Sequence, residues 1–164
     1  MASAGLAAIE SERAEDEEIV SIIENDACGV DALQCVTGCT FGKGNLLFRD
    51  YGKHVYTIYS RTTRSGIRVV FLEKNVPQDI KEDREKFAEW ILTAPQEKIL
   101  ALTAVSVAEP EPAEIRDTVL CSICHEAVME SRLKNLEGQS VCIPCFEKHQ
   151  NLKGGLNARK GAEW

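Results

Sequence analysis

The sequence predicts an α+β protein in two parts: a mixed core domain with a β-hairpin and flanking helices, then a small zinc-stapled module. Three observations predict it. Residues 54–60 and 67–72 are rich in β-branched and aromatic side chains and flank Arg61-Thr-Thr-Arg-Ser-Gly66, the pattern of a strand, a turn and a strand. Glu109-Pro-Glu-Pro-Ala113 follows, and two prolines within three residues favour the stiff, extended backbone of a linker. Beyond it, Cys121-Ser-Ile-Cys124 and Cys142-Ile-Pro-Cys145 stand with 17 residues between them, ribbon spacing for one four-cysteine zinc site. The expected divisions are a core domain over 1–107, a linker over 108–117, a zinc finger over 118–150 and a flexible tail over 151–164.

The remaining elements follow in order. Residues 6–18 are rich in Ala and Glu, which predicts the end of a helix, although the acids leave only a thin apolar stripe. Ile19-Val-Ser-Ile-Ile23, bounded by Asn25-Asp26, reads as a buried strand. A short helix is expected over 30–37, with Gly38 just past its end. The Gly-rich run Thr37-Gly-Cys-Thr-Phe-Gly-Lys-Gly-Asn45 comes next. After the hairpin, Ile80, Phe87, Ile91 and Leu92 recur among charges at roughly helical spacing, predicting an amphipathic helix over 79–92. Residues 99–107 are β-prone after a few helical residues.

Composition narrows the function classes. The 164 residues carry a net charge of -7, and the zinc module sets Arg132, Lys134 and Lys148 against Glu126, Glu130, Glu137 and Glu147. Phosphate neutralisation drives nucleic-acid affinity, so no nucleic-acid partner is expected. No stretch approaches the roughly 20 apolar residues of a membrane span, so no membrane partner is expected either. The mildly apolar start has no basic segment and runs straight into acids, unlike a signal peptide. Four of the seven cysteines go to metal and Cys28, Cys35 and Cys39 are scattered, which predicts a reducing, cytoplasmic setting.

Four thiolates close the shell of Zn2+, so the metal is read as structural. Cys121-Ser-Ile-Cys124-His125 also fits a haem-attachment pattern, but that chemistry needs export. A redox pair needs no second pair at ribbon spacing, and iron knuckles usually carry Gly where this chain has His125 and Phe146. His125 and His149 are bystanders to four cysteines.

Chemistry in the core is sought at the Gly-rich run. It is not a Walker loop: only three residues separate Gly38 from Gly42, and Gly44 sits where the magnesium-binding hydroxyl belongs. What remains is a thiol, Cys39, and an ammonium, Lys43, between glycines whose N–H groups are free to converge on an anion. Cys39 and Lys43 are the candidate catalytic pair, a nucleophile at a helix terminus and a cation for a developing negative charge. Residues 41–68 hold Lys43, Arg49, Lys53, Arg61, Arg64 and Arg68 against Asp50 alone, a local positive field. Arg61, Arg64 and Arg68 are read as solvated hairpin cations. Cys28 and Cys39, with Asp26 or a histidine, are the alternative: a mixed-ligand metal site. Cys35 is read as a small buried apolar residue.

Two long strings carry a resemblance. Glu24-Asn-Asp-Ala-Cys-Gly-Val-Asp31 and Val36-Thr-Gly-Cys-Thr-Phe-Gly-Lys-Gly-Asn-Leu-Leu-Phe-Arg-Asp-Tyr-Gly-Lys53 resemble the signature of the formylmethanofuran dehydrogenase E-subunit family. Leu-Thr-Ala-Pro at 92–95 and the C-terminal four-cysteine finger are similar too. The resemblance implies an α+β core domain, commonly a homodimer, joined to a treble-clef-like finger. It implies a core pocket drawn from Asp26, Cys28, Gly42, Gly44, Asp50 and Lys53 beside Cys39 and Lys43, with a second metal there besides the zinc at Cys121, Cys124, Cys142 and Cys145. It implies an accessory subunit of a molybdenum or tungsten, molybdopterin-dependent enzyme that reduces CO2 in methanogenesis. The alternative is a stand-alone bacterial protein that binds a metal or small anion, or an enzyme using Cys39. The family's usual first helix carries His-Gly-His-x-Cys-Pro-Gly, which this sequence lacks, as if it began inside that helix. With histidines only at 54, 125 and 149, the family's core metal site is not completed in the usual way.

Overall fold

The computed structural model describes residues 1–158, and side chains as far as Asn151. It divides into two compact units, Met1–Ala113 and Glu114–Trp164.

The first unit opens with α1 (Ala2–Ala8), followed by β1 (Ile19–Ile23), α2 (Gly29–Thr37) and β2 (Leu46–Phe48). The hairpin strands are β3 (Val55–Ser60) and β4 (Ser65–Phe71), and α3 (Arg84–Thr93), α4 (Gln96–Ile99) and β5 (Leu100–Val105) complete the unit. Five strands form one sheet in the order β2-β1-β3-β4-β5. β1 and β2 run parallel, joined through α2, and the other neighbours are antiparallel. Every residue of β1 and β3 is buried, as strands covered on both faces must be, which is why these sequences are runs of Ile, Val and Tyr. Ser21 pairs with Ile58 and Ile58 with Ile67, so one face of the sheet gathers Ile19, Ile23, Tyr56, Ile58, Ile67 and Val69. α1 and α2 close over that face with Leu6, Val30 and Leu33. At Gly5 a Cβ would come within 2.5 Å of Ile58 Cδ1, so the missing side chain lets α1 sit directly on β3.

Two expectations change, and one strand is new. The helix foreseen over 6–18 is α1, which stops at Ala8: Glu10 has a φ of 52°, and Ser11 N–H turns back to Leu6 O. Like charges one turn apart oppose a helix through Glu15, Asp16, Glu17 and Glu18; the Glu18 carboxylate instead accepts Asp16 N–H at 2.9 Å. The helix foreseen over 79–92 splits into a 3-10 turn, Gln78–Ile80, and α3. Asp83 makes the break, because its side chain accepts from Glu85 N and Lys86 N as an N-cap, and those bonds hold its carboxyl below the ordinary range. The three-residue strand β2 carries no signal of its own in the sequence. By contrast α2 ends as foreseen, with Gly38 at φ 75° in the left-handed region, where a side chain would also collide with Ala14 O.

The linker is partly strapped to the first unit. The Arg61 guanidinium donates to Glu17 O at 3.0 Å, Pro110 O at 2.7 Å and Glu111 O at 3.3 Å, and it pairs with Glu109 at 3.4 Å. Ala113 N–H donates to Glu17 Oε2 at 3.1 Å. Arg61, read from sequence as solvated, is therefore a structural clamp.

The second unit has two hairpins and a helix: β6 (Thr118–Leu120) with β7 (Ala127–Met129), β8 (Leu133–Leu136) with β9 (Gln139–Cys142), and α5 (Ile143–Ala158). Glu137 and Gly138, at φ 52° and 86°, make the two-residue turn between β8 and β9, the mirror-image turn whose twist suits a hairpin. Its buried cluster is Cys121, Leu136, Val141 and Cys142, with Val128, Cys145 and Phe146 packed against it. The tail foreseen from residue 151 begins inside α5, and residues 159–164 lie outside those described. Among the described residues no helix is long and apolar enough to cross a membrane.

Candidate metal centre and core cleft

The four sulfurs of Cys121, Cys124, Cys142 and Cys145 lie within 4.8 Å of one another, brought there by two knuckles. In the first, Cys121 N–H donates to Glu126 O and His125 N–H to Cys121 O, both at 2.9 Å, with His125 at φ 61°. In the second, Cys142 ends β9 and Cys145 falls in the first turn of α5. Ser122 N–H and Oγ both reach Ser140 O at 3.0 Å, tying the knuckles together. A zinc–thiolate bond of about 2.3 Å in a tetrahedron puts its sulfurs about 3.8 Å apart. Cys124 and Cys142 stand 3.8 Å apart, so the donor set fits Zn2+.

The thiols do not ionise alike. Backbone N–H groups, first of Cys124 and then of Cys142, hold Cys121 down to about 6. Cys142 N–H approaches that sulfur at 3.3 Å. Cys145 is pushed up to about 12, chiefly by the neighbouring Cys142 thiol and then by burial. At Cys124 the Glu126 N–H lowers, but burial and the thiols of Cys121 and Cys142 raise more, and the net direction is up. Crowded thiols resist sharing negative charge, and a divalent cation relieves that resistance.

In the first unit the Gly-rich run is built differently from expectation. Cys39 is fully buried; its thiol donates to Ile19 O at 3.2 Å and accepts from Ser21 Oγ at 3.3 Å. Cys39, expected as a nucleophile, is thus a hydrogen-bonded thiol inside the core. Lys43 Nζ donates to Glu15 O at 2.8 Å, which straps the loop to the segment after α1. Three loop N–H groups are engaged within the loop: Thr40 N by Asn45 Oδ1, Lys43 N by Thr40 Oγ1 and Gly44 N by Phe41 O. Buried Asn45 organises all this, since its Nδ2 also donates to Asp16 O and Ile19 O. Gly44, at φ 75°, lies against Ala113, while Gly42, Asp26 and Asp50 are exposed. Among the described residues the cluster of three or more metal-ligating side chains is the four-cysteine one; Asp26, Cys28 and Cys39 form none. Cys35, read as buried, is exposed on α2, its carbonyl accepting from Arg13 Nε at 3.0 Å.

Of the expected core residues, Cys28 and Lys53 do reach depressions in the surface. Cys28, at the start of α2, enters an apolar cleft of about 350 Å³ shared with Met1, His54, Tyr56, Phe71, Phe87 and Ile91. Burial and then the nearby Cys28 push the Tyr56 hydroxyl up from its ordinary range, and that hydroxyl lies so close to Gly29 that a Cβ there would meet it at 2.7 Å. A groove of about 390 Å³ continues past His54 and Phe71 to Lys53, Arg68 and Glu73. A third hollow, about 220 Å³, again has His54 and Phe71, with Lys81 and Phe87. The rings of Phe71 and Phe87 meet edge to face at 6.5 Å, and Trp90 stacks on Phe87. Arg68 is held to Glu24 at 3.5 Å. Sequence reasoning missed His54, Tyr56, Phe71, Lys81 and Phe87 because they come from β3, β4 and the segment around α3, with no spacing to link them.

Fold and cysteine cluster together define an α+β protein carrying a four-cysteine zinc finger. Residues 1–103 match the family described as "FmdE, Molybdenum formylmethanofuran dehydrogenase operon", and residues 115–151 match the prokaryotic dksA/traR C4-type zinc finger. The chain belongs to the FmdE family. A solved FmdE-like protein from Syntrophus aciditrophicus, named for the tungsten formylmethanofuran dehydrogenase, is 25% identical with a TM-score of 0.53, over 80% of this chain and 73% of that one. A "probable S-adenosyl-L-methionine-binding protein" of Archaeoglobus fulgidus is 28% identical over 162 residues, 84% of this chain. The match spans 43% of that relative's length.

Proposed function

We propose that this zinc-binding FmdE-family protein is a non-catalytic accessory subunit, serving a molybdenum or tungsten enzyme of the formylmethanofuran dehydrogenase type by binding a ligand in its core cleft. One observation carries the ligand-binding part: three hollows converge on His54 and Phe71. Concave, mostly apolar sites with a few polar groups are where small molecules bind. The enzyme assignment is supported by the family's description and by the likeness to the Syntrophus protein named for the tungsten enzyme. Binding is favoured over chemistry because Cys39 and Lys43 are both engaged in holding the fold. A cytoplasmic homodimer belongs to the same proposal, supported by seven free cysteines and by exposed Phe41, Phe48 and Leu92.

The test is gentle isolation of the tagged chain at its native level, with native mass spectrometry and metal analysis of what travels with it. Co-purification with a molybdenum- or tungsten-containing enzyme is the expected result. A chain that runs only with copies of itself, zinc-loaded, would exclude the accessory role and leave the stand-alone alternative. That alternative is favoured by one feature, the cations around the groove.

A further inference from the structure

The three hollows around His54 and Phe71 differ in chemistry. The cleft between Met1, Phe71, Phe87 and Ile91 is apolar. The other two hollows bring Lys53, Arg68 and Lys81 to its edge against the single carboxylate of Glu73. In a chain of net charge -7 this concentration of cations needs a cause. Among the described residues no ion pair engages Lys53 or Lys81, and Arg68 shares one long contact of 3.5 Å with Glu24. Lys53 Nζ rests over the Tyr51 ring at 5.8 Å, a position that leaves its protons available.

We propose that this composite site takes a small organic monoacid, its apolar body in the cleft walled by Tyr56, Phe71, Phe87 and Ile91 and its acid group against Lys53, Lys81 and Arg68. The inference rests on the cleft being a ligand site, as proposed above. Walls of Tyr56, Phe71, Phe87 and Ile91 accept an aromatic body, and a volume of about 350 Å³ suits a molecule of two or three rings. The acid is a single charge, because Glu73 on the rim repels a second negative group.

The full-length, zinc-loaded protein is titrated by fluorescence with anilinonaphthalenesulfonate and with phenylnaphthylamine, which has the same rings and no acid. The sulfonate is expected to bind about tenfold more tightly than the neutral probe. The double variant Lys53→Met/Lys81→Met, both exposed positions, should remove that preference and leave the neutral probe's affinity unchanged. Phe87→Ala, and independently Ile91→Ala, should weaken both probes. Equal affinity for the two probes, or a sulfonate preference that survives the double variant, overturns acid recognition while the cleft stands. Failure of both probes to bind, or binding unaffected by both wall variants, overturns the cleft itself as a ligand site.

Discussion

The two units of this chain reach stability by opposite routes. In the first, buried side chains from α1, α2 and all five strands form one cluster in which Ile23, Leu33, Ile58 and Val69 are almost wholly enclosed. In the second, the buried cluster holds four residues, and two of them, Cys121 and Cys142, are zinc ligands. A segment this small cannot enclose enough apolar surface to offset its chain entropy. Coordination of structural Zn2+, on the order of 10–16 kcal/mol, takes the place of the missing core. One unit is held by area and the other by a single ion, and each is sensitive to a different insult.

The largest effect is expected from the ion. Cys124→Ser, or a strong chelator, should abolish the zinc content and unfold residues 118–149. Hydrogen exchange should show amides there losing protection while those of β1 and β3 keep theirs. A second unit that stays protected without metal would show that its apolar cluster suffices after all.

Ile58→Ala is the reciprocal cut. Its side chain is fully buried beneath Gly5 and beside Val69, so truncation should cost about 2–5 kcal/mol of first-unit stability. Denaturant unfolding monitored on the first unit should shift by that amount, with zinc content per chain unchanged. Loss of zinc in this variant would mean that the two units do not fold independently.

The smallest effect is in protons. In the folded knuckles backbone N–H groups, first of Cys124 and then of Cys142, hold the Cys121 thiol at about 6, below its ordinary 9.0. Without metal the segment is unfolded, so that stabilisation is absent and all four thiols start protonated near neutrality. Zinc affinity should therefore fall as pH falls, with a slope close to four protons per ion near neutrality. Competition against a chromophoric chelator across pH measures the slope, and a slope near three would show that the knuckles, with Cys121 already a thiolate, persist without metal.

Much of this was readable from residues alone, and the division between readable and hidden is physical. β1, the hairpin, the Gly38 stop and the zinc cysteines are local signals, each written in a few consecutive residues. Hidden features depend on partners distant in sequence. β2 is a strand only because β1 lies parallel to it, and three residues carry no period of their own. Cys39 has the sequence context of an exposed thiol among glycines, yet Asn45 folds the loop against residues 16–19 and buries it. The cleft takes Cys28, Tyr56, Phe71 and Phe87 from four elements, and of these Cys28 alone lies in a string that stands out. Asp83 carries a readable signal, an N-cap residue before a helical run, which the longer apolar period overshadows.

The Arg61 clamp changes what a protease meets. The linker offers acidic cleavage positions at Glu114 and Asp117, while Glu109 and Glu111 are each followed by proline, whose bond resists cutting. A protease needs several consecutive residues drawn out into its cleft, and the stretch from Glu109 to Ala113 is tethered through its own carbonyls and an N–H. Nicking therefore falls after Glu114 or Asp117, and the first fragment leaves with its strap attached. Loss of the guanidinium, as in Arg61→Ala, would leave the acid-directed cuts at Glu114 and Asp117 and open the Pro112–Ala113 bond to a protease that cuts after proline, so an arginine in a hairpin turn decides how much of the strap a protease can reach.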